Sequence, residues 1–229
     1  MSNIKDVAAL AGVSVTTVSR VLNKRGYISK EVYAKVYDAM ERLDYQPNQI
    51  ARSLYSQKTN CVGVLIPDVS HPFFAEIVKR IEGELNQQGY RIFLCNAVGD
   101  GVREQEYLSM LRQNKVDGII IATHMLETSL YESLDLPIVA LDLELGESIP
   151  TVCADHEKGG RLAAQELIRS GCRCVLNVGG NMDVKTPSIR RYRACEVMLQ
   201  EAGVDCINAC LEQEFNRQTY QVEIERLLR

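Results

Sequence analysis

The sequence lacks most of what an enzyme or a membrane protein needs. No apolar run approaches the ~20 residues that cross a bilayer, and Lys5 and Asp6 precede only a short amphipathic stretch, unlike a secretory leader. A soluble intracellular protein is expected. Histidine is scarce: His71, His124 and His156 lie far apart, and no pair of the eight cysteines has zinc-site spacing beside a His. No metal is therefore expected. No Gly-rich phosphate loop follows the first strand-like run, and Gly179-Gly180 alone is a weak signal. Asp68, Ser70 and His71 have triad residue types, but such close neighbours rarely converge geometrically. Neither catalysis nor a cofactor is expected.

The cysteines, Cys61, Cys95, Cys153, Cys172, Cys174, Cys195, Cys206 and Cys210, fall mostly within apolar runs. They read as buried free thiols, which suits a reducing cytoplasm. Net charge is also small, −4 over 229 residues, and would argue against a nucleic-acid partner. Dividing the chain reverses that impression. Residues 1–60 carry nine Lys or Arg against five Asp or Glu, and the remainder 17 against 25. Only the first segment is electrostatically suited to phosphate.

That segment also carries the clearest pattern. Ile4, Val7, Ala8 and Ala11 recur at helical spacing, Gly12 permits a turn, and Ser14 is placed to cap a second helix. Val13 and Val18 have the spacing of a hydrophobic staple. Val18, Val21 and Leu22 would face inward, leaving Val15, Thr16, Thr17, Ser19 and Arg20 outside. Arg suits guanine acceptors, hydroxyls suit phosphates or base edges, and Val suits a thymine methyl. This is how a helix-turn-helix that enters a major groove reads. The plainer reading is a helical hairpin with a polar surface. Ser29 then caps a third helix expected to end before Tyr45-Gln46-Pro47, with Val32, Val36, Ala39, Met40 and Leu43 inward.

Asp6-Val7-Ala8 through Ala11-Gly12-Val13-Ser14, followed by Thr17-Val18-Ser19-Arg20-Val21-Leu22-Asn23, resembles the DNA-binding headpiece of the lactose-repressor (LacI/GalR) family. The resemblance extends along the whole chain. It implies DNA contacts by Ser14, Val15, Thr16, Thr17, Ser19, Arg20, Asn23, Tyr27 and Ser29. It also implies that the segment containing Asn48, Ala51 and Leu54 folds as a hinge helix on DNA, with Leu54 wedged into a minor-groove base step. On its residues alone, this short segment is equally a plain interdomain linker. Gly26-Tyr27-Ile28-Ser29 and Asp68-Val69-Ser70 look most like sucrose-operon repressors.

Beyond Cys61 apolar runs alternate with amphipathic segments. Strands are expected at 62–66, 91–95, 118–121 and 137–141, with helices at 73–88, 103–114 and 129–134 between them. A second set follows: strands at 151–154, 174–178 and 204–209, and helices at 157–170, 188–202 and from about 217 to the end. The expected fold is an all-α helix-turn-helix headpiece (1–46) and a hinge segment (47–58) joined to a periplasmic-binding-protein-like α/β core. That core would hold doubly wound parallel sheets in two subdomains, 61–150 and an incomplete 151–229.

Ligands of such sheets bind beyond the carboxyl ends of the strands. Aromatic faces beside carboxylates, amides and an Arg there suit a sugar. Asp142 stands at such a strand end, and the resemblance implies further effector contacts from Asp68, Ser70, Phe73, Phe74, Asp155 and Arg191, with Phe73 stacking and Arg191 donating several hydrogen bonds. Either Phe could instead be core, and Arg191, within Arg190-Arg191-Tyr192-Arg193, could be a solvated helix surface. The sequence departs from the family at Ala194, where Gly is usual, and at His156, where Asn is usual. The family pattern also continues past Arg229, so a truncated repressor or a fragment is expected.

Together these readings describe a cytoplasmic transcriptional repressor of a carbohydrate operon. Its expected partners are a pseudo-palindromic double-stranded operator, a small sugar effector and a second copy in a homodimer or higher oligomer. A truncated regulator without effector response and a sugar-binding protein are the alternatives.

Overall fold

Asn3 starts the first helix. Its side chain accepts from the Lys5 and Asp6 amides while Asp6 returns a carboxylate to the Asn3 N–H, a reciprocal cap on α1 (Ile4–Ala11). In this computed structural model, residues 2–23, 25–46, 58–97, 101–123, 126–179, 186–210, 221–222 and 224–226 are described. They fall into two units, Met1–Thr59 and Asn60–Arg229.

In the first unit Gly12 ends α1 in the left-handed region, φ 66°, which glycine adopts without the penalty a Cβ would impose. Ser14 Oγ accepts from the Thr17 amide at 3.1 Å to cap α2 (Val15–Leu22), and Ser29 caps α3 (Lys30–Arg42) through Val32 N. Val7, Ala8, Ala11, Val18, Val21, Val36 and Ala39 form the buried core, with Val13 and Leu22 partly buried against it. The third helix ends at Arg42, before Tyr45-Gln46-Pro47. Asp44 turns left-handed, φ 44°, and the Tyr45 amide bonds back to Met40 O, closing the last turn. Ser2 Oγ donates to Leu43 O, tying the chain start to that end.

The second unit contains β1 (Cys61–Ile66), α4 (Pro72–Gln87), β2 (Arg91–Asn96), α5 (Gly101–Gln113), β3 (Gly118–Ile121), α6 (Thr128–Glu132), β4 (Ile138–Leu141) and β5 (Thr151–Val152). These strands form one parallel sheet in the order β2-β1-β3-β4-β5. Successive strand residues point to opposite faces. Val64 and Ile66 accordingly join Phe74 and Val78 in one cluster, while Leu65, Ile119 and Ile121 join Leu108, Leu111 and Tyr131 in another. α7 (His156–Arg169), β6 (Cys174–Gly179), α8 (Ile189–Glu201) and β7 (Asp205–Cys210) follow, with β6 and β7 paired in parallel.

Three expectations need correction. The strand expected at 151–154 to open the second set pairs instead with β4, Ala140 opposite Thr151. The Ala140 and Asp142 amides donate to Pro150 O and Val152 O, so the returning chain fills the sheet edge. The cysteines are not uniformly buried. Cys95 and Cys195 are, but Cys153, Cys174 and Cys210 are exposed, because a half-covered strand or a loop places small apolar residues outside as readily as inside. Phe74 is in the core and is taken up below. The start expected for the last helix, near Arg217, lies outside the described residues; 221–222 and 224–226 are helical. Among the described residues no helix is long and apolar enough to cross a membrane, and no group of three or more His, Cys, Asp or Glu could hold a metal.

Candidate DNA-reading face and ligand loops

On α2, Val18 and Val21 are fully buried, which turns the opposite side of the helix outward. Ser14, Val15, Thr16 and Arg20 are exposed there; Thr17 and Ser19 are half-buried. The polar row is partly self-ordered. Thr17 Oγ1 pairs with Ser14 Oγ at 2.9 Å, and Asn23 Nδ2 donates to Ser19 O at 2.9 Å. Such bonds restrict rotamers before any partner arrives. Val15 keeps 39% of its surface and Tyr27, in the α2–α3 loop, 99%. A wholly exposed Tyr next to the basic Arg25 and Lys30 can lie against a nucleic-acid backbone while donating its hydroxyl. Ser29 is exposed, but its hydroxyl already caps α3. Asn48, Ala51 and Leu54 lie outside the described residues.

The ligand loops follow the strand order. β2 and β3 flank β1, so the chain turns opposite ways from β1, and such a switch point opens a crevice at the carboxyl ends. The loop leaving β1 is held from within. Asp68 Oδ1 accepts from Ser70 N at 2.8 Å and Oδ2 from Ser70 Oγ at 2.7 Å, while Val69 N donates to Asn96 Oδ1 at the end of β2. The Ser70 amide, then its hydroxyl, hold the Asp68 carboxyl below the usual aspartate value. His71 Nδ1 accepts from Phe73 N and starts α4.

Phe73 and Phe74 meet edge to face with centroids 5.1 Å apart, but their roles differ. Phe73, in the first turn of α4, is 48% exposed; Phe74 is 8% exposed and packs with Val64, Ile66, Val78 and Ala122. Phe74 is therefore core, with little surface left for an effector. Consecutive helical residues point about 100° apart, so only one of the two can face the sheet.

The remaining expected residues gather around the exit of β4. Asp142 has φ 56° and its Oδ1 lies 2.5 Å from His156 Nε2, at the first residue of α7. Asp155 Oδ1 accepts from Lys158 N at 3.0 Å, so it caps α7. Arg191, in the first turn of α8, is exposed with its Cζ 5.4 Å from the Tyr192 ring centroid, whereas Arg190 is ion-paired to Glu144. The seven expected residues thus fall into two groups, the loop after β1 and the junction of β4, α7 and α8. Four of them already hold protein partners: Asp68 and Ser70 bond each other, Asp142 meets His156, and Asp155 caps α7.

One cluster escaped sequence reasoning. Glu104 of α5 is fully buried, accepting from Tyr131 Oη and, at 3.1 Å, from Thr123 Oγ1 just after β3. Leu126 N in turn donates to Tyr131 Oη. These bonds fix the exit of β3. The available signal was Glu104 standing in phase with Leu108 and Leu111, a carboxylate within a buried stripe.

Residues 3–48 match the family described as bacterial regulatory proteins, lacI family, and residues 59–218 that of periplasmic binding proteins and the sugar binding domain of the LacI family. The ribose operon repressor of Halalkalibacterium halodurans is 43% identical over 204 residues, 89% of this chain and 61% of that protein. The sucrose operon repressor of Streptococcus mutans is 41% identical over 204 residues, covering 89% of this chain and 64% of the relative. The chain thus spans 61–64% of the length of these two relatives. In fold it is similar to a crystal structure of the Lac repressor dimer bound to operator and the anti-inducer ONPF. The TM-score is 0.83 at 24% identity, covering 99% of this chain and 70% of that one.

Proposed function

Because this chain belongs to the LacI family of bacterial regulatory proteins, we propose that it is a sequence-specific DNA-binding repressor of a carbohydrate-utilisation operon. It works in the cytoplasm, without catalysis, under the control of a small sugar or sugar phosphate. The observation that carries this reading is the capped α2 with Val18 and Val21 buried and Val15, Thr16 and Arg20 facing out. That arrangement presents the first turns of a recognition helix to base edges.

In this reading two copies place their α2 helices in successive major grooves, so the operator is a pseudo-palindrome. On operator DNA the segment containing Asn48, Ala51 and Leu54 pairs with that of the second copy in the minor groove, and Leu54 wedges into a base step. The sugar lies against Phe73 and Asp68 and is held by Arg191; Ser70, Asp142 and Asp155 order the surrounding loops. Ribose and sucrose, the sugars in the relatives' names, are the first candidates. Binding of sugar disfavours the DNA-bound form, and the coupling is reciprocal, so operator weakens sugar binding by the same factor.

The test is selection of duplexes from a random pool, followed by titration of the enriched site with and without D-ribose, sucrose and their phosphates. A pseudo-palindrome whose binding weakens with one sugar supports the proposal. A palindrome bound equally under every sugar leaves a DNA-binding protein without effector response. Absence of any enriched sequence contradicts the whole reading.

A further inference from the structure

We propose that Tyr192 is a positioning residue for Arg191, and that the absence of a side chain at Gly160 and at Gly179 helps to keep this pair in place. The inference rests on the reading of Arg191 as an effector contact and deepens it. An exposed Arg on a long stem loses rotamer freedom when it binds a ligand, and whatever confines it beforehand raises affinity. The Arg191 guanidinium carbon lies 5.4 Å from the Tyr192 ring centroid, inside the ~6 Å reach of a cation–π contact. The preceding arginine is held separately, since Arg190 pairs with Glu144. Two adjacent guanidiniums are thereby sorted, one to a carboxylate and one to a ring.

The ring is itself fixed. A Cβ on Gly179, the last residue of β6, would lie 3.1–3.3 Å from three Tyr192 ring atoms, so a larger residue would press the ring aside. Asn177 Nδ2 donates to Tyr192 O at 3.3 Å. The backbone beneath is fixed by α7. A Cβ on Gly160 would stand 2.1 Å from Arg191 O and 3.1 Å from the Ala194 Cβ. Only glycine therefore lets the first turn of α8 lie this close to α7. Gly160 sets the backbone of Arg191, Gly179 sets the ring of Tyr192, and the ring sets the guanidinium.

The test uses the full chain with Tyr192→Leu, Tyr192→Phe and Arg191→Ala. Proton–carbon NMR follows the Arg191 δ-methylene, assigned by its loss in Arg191→Ala. The expected result is an upfield ring-current shift in the wild type and in Tyr192→Phe, absent in Tyr192→Leu. Calorimetry with D-ribose and sucrose should show Tyr192→Leu weakening sugar binding by about two- to fivefold. Tyr192→Phe should retain affinity, and operator binding should stay unchanged in both. An unshifted Arg191 methylene in the wild type overturns the proposal outright. Full sugar affinity in Tyr192→Leu, where Arg191→Ala abolishes binding, overturns it too. Unchanged sugar affinity in Arg191→Ala is a different failure: it removes the effector role of Arg191 while the NMR shift still reports the ring contact.

Discussion

His156 Nε2 lies 2.5 Å from Asp142 Oδ1, and the imidazole is buried. The carboxylate expected to meet an effector at the end of its strand is thus already engaged, joining the exit of β4 to the first residue of α7. Asp142→Ala would leave a buried ring nitrogen without this partner, at a cost of about 1–3 kcal/mol. Urea denaturation monitored by circular dichroism should show that loss. A change below about 0.5 kcal/mol, the size of an ordinary surface substitution, would mean the pair is structurally idle.

Tyr131→Phe tests the cluster at the end of β3. It removes the hydroxyl that donates to buried Glu104 and accepts from Leu126 N, leaving Thr123 as donor to the carboxylate. The expected loss is again about 1–3 kcal/mol by the same measurement. A variant as stable as the wild type would show that Glu104 finds a replacement donor.

Ser70→Ala tests the loop after β1. The amide bond to Asp68 survives and the hydroxyl bond is lost, so the Asp68 pKa should rise part of the way toward 3.8, its ordinary value. A depressed folded pKa stabilises above the unfolded value and ceases to do so as pH falls through the folded one. The loop should therefore loosen at higher pH in the variant than in the wild type. Carboxyl-carbon NMR titration measures this directly, and an unmoved Asp68 would remove the hydroxyl from the account.

The thiols should separate by exposure. Burial pushes Cys95 up to about 11, so little thiolate exists at neutral pH. Under native conditions a maleimide should label Cys153, Cys174 and Cys210 and spare Cys95; peptide mass spectrometry reads the sites. Labelling of Cys95 at the rate of Cys153 would contradict the packing around β2.

Much of this was legible because local signals agree with the fold. Ser14 and Ser29 cap the helices that the sequence pattern assigns to them, and the runs at β1, β3 and β4 are continuous because parallel strands buried on both faces carry apolar residues throughout. Other features depend on contacts that no local pattern contains. Thr151-Val152 is too short for periodicity, and its pairing with β4 depends on how residues 142–150 return. Phe73 and Phe74 are the same residue type, and only the orientation of α4 decides which one is core. Asp142 and His156 are 14 positions apart, and the segment between them, which includes β5, has no sequence signature for their meeting. The candidate DNA-reading face is therefore the more legible of the two sites, since most of it lies on one helix and its cap.

The central claim is base-specific reading by α2. Fluorescence anisotropy at fixed salt should compare the selected pseudo-palindrome with duplexes changed at one base pair, for wild type and Arg20→Ala. The account expects Arg20→Ala to cost about 1–3 kcal/mol on the palindrome and to erase discrimination at one base-pair position. Equal weakening of Arg20→Ala on every duplex, or a wild-type chain that binds palindrome and random DNA alike, would contradict it.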